Sequence, residues 1–267
     1  MQTAIDHAAV SMQVLDLGRM AYAAALETQR QRHAEVLAGA ARPTLLLVEH
    51  DPVITLGQRR GVGAHLLASR DHLATLGIDV QETDRGGDIT YHGPGQLVAY
   101  PILRLSDLGF NVGRYMRWLE EVVIQTVAAW GVTGVRVAGH TGVWVEGNVG
   151  FRIADFGFAE PSRPSSQTRM AGLGSTKSEI RNPKSEILKL CAMGVRVRRN
   201  VTLHGLALNV RPDLSHFATI VPCGLADRGV TSLHQLLGEH CPTMEQVKAQ
   251  LVRVMQEHFG HFGVRRP

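Results

Sequence analysis

Apolar and polar positions divide the chain into a series of short elements. Residues 13–39 are rich in helix formers, with Leu17, Met20, Ala24 and Leu26 ahead of a polar stretch and Gly39 placed to stop it. The spacing predicts a helix over much of this segment. After Pro43, residues 44–49 form a continuous apolar run, as a buried strand does. Asn111 is placed to cap a helix in which Val112, Tyr115, Leu119, Val122, Val123 and Val127 recur at helical spacing before Gly131. Segments around 134–145, 189–197 and 201–210 are short and rich in valine, and are predicted as strands. Thr231-Ser232 caps a predicted short helix through Leu237. Thr243 to Gln246 is a capping-box pattern opening a last helix, with Val247, Leu251, Val254 and Phe259 on one face. Helices and strands mix without a regular βαβ alternation, so the expected class is α/β of the α+β kind, with a mixed sheet.

Two stretches break the pattern. Residues 160–185 are rich in Pro, Ser, Gly and charge and read as a surface loop. Residues 85–96, RGGDITYHGPGQ, crowd glycines around Arg85, Thr90, Tyr91 and His92 just before an apolar strand from Leu97 to Leu103. Glycines allow a tight turn between strands, and they also let backbone N–H groups approach a ligand. The interleaved polar side chains favour a binding loop, although the spacing matches neither the phosphate loop nor the dinucleotide fingerprint.

Composition narrows the class. With 267 residues, 44% hydrophobic, the chain can bury one large core, and residues 1–267 are expected to form a single α/β domain. The net charge of +4 is scattered, without a basic run interleaved with aromatics. That argues against nucleic acid and suits an acidic protein partner. Three cysteines, Cys191, Cys223 and Cys241, suit neither a disulfide framework nor zinc. The first residues lack the basic start and apolar stretch of a signal peptide, and no apolar run is long enough to span a membrane. A cytoplasmic protein without metal or other cofactor is expected.

Three groups carry candidate chemistry. Cys223 lies between Pro222 and Gly224 after an apolar run, where the chain must turn and expose a side chain. The commoner fate of such a thiol is a small buried hydrophobe. Lys189 heads an apolar run. As a rule such a lysine sits at a strand edge, but facing inward it would stabilise a neighbouring thiolate. Residues i and i+2 of a strand share a face, so Cys191 is a rival thiol for Lys189. Gly205 and Ala207, in a strand that also carries Leu206, leave room either for an acyl chain or for tight packing.

In order along the chain, VEHDPVITLG (48–57), RGGDITYHGPGQLVAYPI (85–102), TGVWVEG (141–147), KLCAMGVRVRRNVTLHGLALNV (189–210) and IVPCGLADRGVTSL (220–233) resemble the lipoyl(octanoyl) transferases. The resemblance implies the mixed α/β fold of biotin and lipoate protein ligases. It also implies transfer of an octanoyl group from octanoyl-acyl carrier protein to a lysine on a lipoyl domain of 2-oxoacid dehydrogenases or on the glycine-cleavage H protein. By that match Cys223 is the nucleophile and Lys189 its partner. Substrate contacts fall on Arg85, Gly86, Gly87, Asp88, Ile89, Thr90, Tyr91 and His92, on Ala192, Met193 and Gly194, and on Gly205, Leu206 and Ala207. The chain departs from the family pattern in a long segment around 148–187, expected to be an inserted surface loop. An ATP-dependent ligase of the same fold would form an adenylate and would not need Cys223. A non-catalytic binder of acyl carrier or lipoyl domains would bind without turnover.

Overall fold

The computed structural model describes residues 12–147, 186–221 and 229–261. Cys223 and the segment 160–185 lie outside the described residues. Seven strands form the main sheet in the order β1-β2-β6-β10-β9-β8-β7. These are β1 (Gln13–Met20), β2 (Thr44–His50), β6 (Gln96–Ile102), β10 (Val201–Asn209), β9 (Glu186–Arg198), β8 (His140–Gly147) and β7 (Val135–Val137). Only β1 and β2 run parallel, joined by the crossover helix α1 (Tyr22–Ala38); every other pair is antiparallel. A smaller sheet, β4-β3-β5, holds β3 (Val53–Leu56), β4 (Asp79–Glu82) and β5 (Ile89–His92), with α2 (Arg70–Thr75) crossing between the parallel pair β3 and β4. The mixed sheet expected from the sequence is present.

Burial explains the layering. One face of the main sheet packs Leu97, Leu188, Leu190 and Leu208 against α3 (Val112–Ala128) and α5 (Met244–His261), which contribute Leu119, Val123, Leu251 and Met255. The other face packs Val98, Tyr100 and Ala207 against Ala25 and Val36 of α1. The small sheet has its own core, in which Ile54 and Ile89 meet Leu214 and Phe217.

The caps fall where the sequence puts them. Asn111 accepts from Arg114 N–H at 2.8 Å to start α3, and Ser232 accepts from Gln235 N–H at 3.2 Å to start α4 (Leu233–Leu237). At α5, Thr243 N–H donates to Gln246 Oε1 at 2.8 Å and Gln246 N–H to Thr243 Oγ1 at 3.3 Å, a reciprocal capping box.

Two expectations need correction. The helix predicted over residues 13–39 is a strand up to Met20 and a helix only from Tyr22. Leu15 and Leu17 pack on the α1 side while Asp16 meets Lys248 of α5 at 2.9 Å, so this segment alternates across a sheet instead of forming a helical stripe. Helix-forming composition is a weak preference that pairing with β2 overrides. Second, residues 186 and 187, placed in the inserted loop by sequence, already belong to β9.

Candidate active site

Lys189 owes its position to a bulge. Val143 of β8 faces Cys191 and Trp144 faces Lys189, so Leu190 is an extra residue in β9. Leu188 and Leu190 point to the α3–α5 core, and so do Cys191 and Met193 beyond the bulge. Lys189 therefore does not share a face with Cys191. It lies on the side of Trp144, with its Nζ 4.3 Å from the indole centroid, a contact that holds an ammonium over the ring's negative face. Cys191 is fully buried, and burial pushes its thiol up to about 12. The rival thiol is a core residue.

The main chain of Lys189 is bonded to the segment that follows Pro222-Cys223-Gly224 in sequence. Its N–H donates to Gly229 O at 3.0 Å, and its carbonyl accepts from Thr231 N–H at 3.0 Å. Ahead of those three residues, Val221 N–H donates to His65 O at 2.8 Å. Behind Lys189, buried Glu120 of α3 accepts from Gly142 N–H at 3.2 Å and pairs with Arg117 at 2.6 Å and Arg136 at 3.2 Å. Gly142 has φ +112, and a Cβ there would collide with the Cys191 carbonyl. Glycine at this position lets β8 lie close against the lysine strand.

On the α1 side of the sheet a pocket opens between the large and small sheets. Its floor is made of small residues: Ala192 faces Ala207 and Gly194 faces Gly205 across the β9–β10 ladder, with Val98 beside them. Met193 and Leu206 border it, and exposed Thr141, the neighbour of Gly142, stands at its rim. Its roof is the glycine-rich segment, through Arg85, Gly87, Asp88, Ile89, Thr90 and His92. Gly86 N–H donates to Val195 O at 3.0 Å and ties this roof to β9.

Two of the expected contacts lie elsewhere. Gly86 serves that backbone tie and does not line the pocket. Tyr91 points the other way, into the small sheet's core, where its hydroxyl meets His216 Nδ1 at 2.7 Å and its ring meets Phe217. Residues 89–92, read as loop, form strand β5, and strand alternation is what sends Tyr91 away from the pocket.

A buried polar chain fixes the roof. The Arg85 guanidinium donates to Thr55 O at 2.7 Å and to Thr55 Oγ1 at 2.9 Å. Thr55 Oγ1 lies 3.4 Å from His92 Nε2, and His92 Nδ1 lies 2.6 Å from Gln96 Oε1. An amide oxygen only accepts, so Nδ1 carries the proton. Burial pushes the His92 imidazole down to about 3, with the nearby His50 adding to it, so the ring is neutral. The chain continues from Gln96 to Asn209 at 2.8 Å and from Asn209 to Thr231 O at 2.9 Å, beside Lys189. Asp88 anchors the outer end of the roof through His65 at 2.7 Å and Arg59 at 3.0 Å.

Tyr22, Tyr100, Thr141 and His204 also line the pocket and are not among the contacts expected from the sequence. His204 breaks the pleat of β10 with φ +59, and Gln29 of α1 accepts its N–H at 3.0 Å. Its Nε2 donates to Asp84 Oδ1 at 2.7 Å. Burial lowers the His204 imidazole's affinity for a proton despite Asp84. The Asp84 carboxyl, raised by its own partial burial, is brought below its ordinary value by His204 and Arg196. The pair is a neutral imidazole donating to a carboxylate.

Residues 21–256 match the model of the lipoyl protein ligase A/B catalytic domain. The chain belongs to this family. It is 45% identical to an octanoyltransferase of Chloroflexus aurantiacus, over 91% of this chain and 92% of that one. It is 41% identical to an octanoyltransferase of Acidobacterium capsulatum, over 94% and 91%. A bipartite lipoate protein ligase from Thermoplasma acidophilum superposes with a TM-score of 0.61, covering 93% of this chain and 83% of that one at 15% identity, which shows the shared fold. Family and relatives make the chain an acyltransferase of protein lipoylation. No helix among the described residues is long and apolar enough to cross a membrane.

Proposed function

We propose that the chain transfers an octanoyl group from octanoyl-acyl carrier protein to a specific lysine of a lipoyl domain, through a thioester on Cys223. The acceptors are the lipoyl domains of 2-oxoacid dehydrogenases and the glycine-cleavage H protein. The observation that supports this most is the backbone bonding of Lys189 to Gly229 and Thr231. Cys223 is six residues before Gly229, so the lysine strand holds the exit of the cysteine's own segment. The same strand runs from Lys189 to the small-residue floor of the pocket.

The chemistry follows from these groups. The Cys223 thiolate, favoured by the Lys189 ammonium, attacks the acyl carbonyl carbon, and the donor's sulfur leaves and takes up a proton. Thioester exchange is nearly isoenergetic and needs no ATP. The acceptor lysine amine, deprotonated with the help of Lys189, then attacks the Cys223 thioester, forming the amide and releasing the thiolate. Arg85, Gly87 to Thr90 and His92, with Ala192 to Gly194 and Gly205 to Ala207, form the acyl subsite. Each methylene buried there contributes roughly 0.8 kcal/mol.

The test is intact mass after incubation with octanoyl-acyl carrier protein without ATP, for wild type, Cys223→Ser, Cys191→Ser and Lys189→Ala. The reading expects an octanoyl adduct in wild type and Cys191→Ser, none in Cys223→Ser, and slow formation in Lys189→Ala. Loss of the adduct in Cys191→Ser alone would overturn the assignment of the nucleophile. Acylation of a lipoyl domain only with free octanoate and ATP would replace transferase by ligase.

A further inference from the structure

We propose that His204, held by Asp84, is the end stop of the pocket and sets the longest acyl chain the enzyme accepts. The inference rests on the acyl-transfer reading above. The reacting carbonyl must lie near Lys189, so the tail of the chain runs along β9 toward Gly194 and Gly205. His204 stands next, opposite Val195 in the ladder. From Lys189 to Val195, one residue is taken up by the bulge. The remaining five steps, at about 3.3 Å each, limit the run to roughly 16 Å before the two end side chains are subtracted.

The His204 side chain is 2% exposed, whereas that of Asp84, on its outer side, is 45% exposed. The imidazole thus stands between the pocket it lines and the partly exposed Asp84 carboxylate. Three contacts hold it there: Asp84 on Nε2, Gln29 on its backbone N–H, and the Tyr100 ring at 6.4 Å. A residue with φ +59 inside a strand is a conformation that few side chains adopt, and it persists because these neighbours fix it. Asp84 also precedes Arg85, so the same bond ties the stop to the roof. Chain-length selection thus lies in a positioned side chain and not in the glycine floor, which would pass a longer chain unhindered.

The experiment measures kcat/KM for octanoyl, decanoyl, dodecanoyl and tetradecanoyl carrier-protein thioesters in wild type, His204→Gly and Asp84→Ala. Glycine suits the positive φ, so His204→Gly removes the stop and relieves the backbone together. The dodecanoyl-to-octanoyl ratio is expected to rise on the order of tenfold or more in His204→Gly, and in the same direction but less in Asp84→Ala. A general structural loss would lower all lengths alike and leave the ratio unmoved. If His204→Gly fails to fold, Asp84→Ala, altered at a partly exposed side chain, decides. Wild type that uses octanoyl, with variants that keep its order of lengths, overturns the end stop. So does a wild type indifferent to length. Wild type that transfers no acyl group overturns the acyl-transfer reading itself, and the end stop with it.

Discussion

A Cβ at Gly194 would stand 2.6 Å from the Gly86 carbonyl and 3.3 Å from Arg85 Cδ, so one methyl group would push the roof off the floor. Gly194→Ala is expected to lower kcat/KM for acyl transfer by tenfold or more, since displacement of a positioning element by about 1 Å can cost as much as 100-fold. Overpacking costs typically 1–3 kcal/mol, so the unfolding midpoint in urea should fall as well. The glycine-rich roof was legible in the sequence because its polar residues and glycines are contiguous. The end of the pocket was not, because Tyr22, Tyr100 and His204 come from three separate elements that only the folded sheet brings together. Tyr91 lies off the pocket for the opposite reason: it is a neighbour in sequence that the strand turns to the other side. Of the expected pair, Lys189 is located on the pocket side of β9, and Cys223 stands as a proposal on sequence and chemistry.

At the scale of elements, the legible ones were those that carry their own end signals. Thr243 and Gln246 satisfy each other's backbone N–H groups at the start of α5, a helix whose apolar face completes the main core. Thr243→Ala is expected to cost about 1 kcal/mol of stability in urea unfolding. Acyl transfer should stay within about twofold of wild type, since the cap lies away from the pocket. Strand β1 was hidden because its sequence favours a helix and its strand character comes from a partner, β2, some thirty residues away. The mixed class was readable from the irregular order of elements. The second sheet was not, since β3 and β4 have four residues each and depend on tertiary pairing.

Over the whole molecule, burial of neutral histidines makes stability depend on pH. Burial pushes His50 down from 6.5 to about 4, and His92 down to about 3. The unfolded chain therefore binds more protons than the folded one from 6.5 down to about 3. Their contribution is complete above 6.5 and is lost progressively as pH falls through about 4 for His50 and about 3 for His92. Urea midpoints should drop between about pH 7 and pH 5, and His50→Gln should flatten that dependence. A wild-type midpoint that rises on acidification would contradict the neutral, buried assignment. Both rings lie in the body that joins the two sheets: His50 bonds to Tyr100 of the main sheet at 2.7 Å, and His92 belongs to the small one. Acid is thus expected to weaken the seam along which the pocket opens.

The extra residue in β9 gives that strand a shift of reading frame. Upstream of Leu190 the odd-numbered Lys189 lies on the Trp144 face of the sheet; downstream the even-numbered Ala192 and Gly194 lie on that face, where they line the pocket. Excising Leu190 would cost core volume yet leave every other side chain of the strand facing as before. Excising Ala192 with the bulge kept would instead send the lysine and the glycine floor to opposite sides. The bulge therefore lets this strand lose one of its two adjacent core-facing residues, Leu190 or Cys191, without turning Lys189 or the glycine floor to the other face of the sheet.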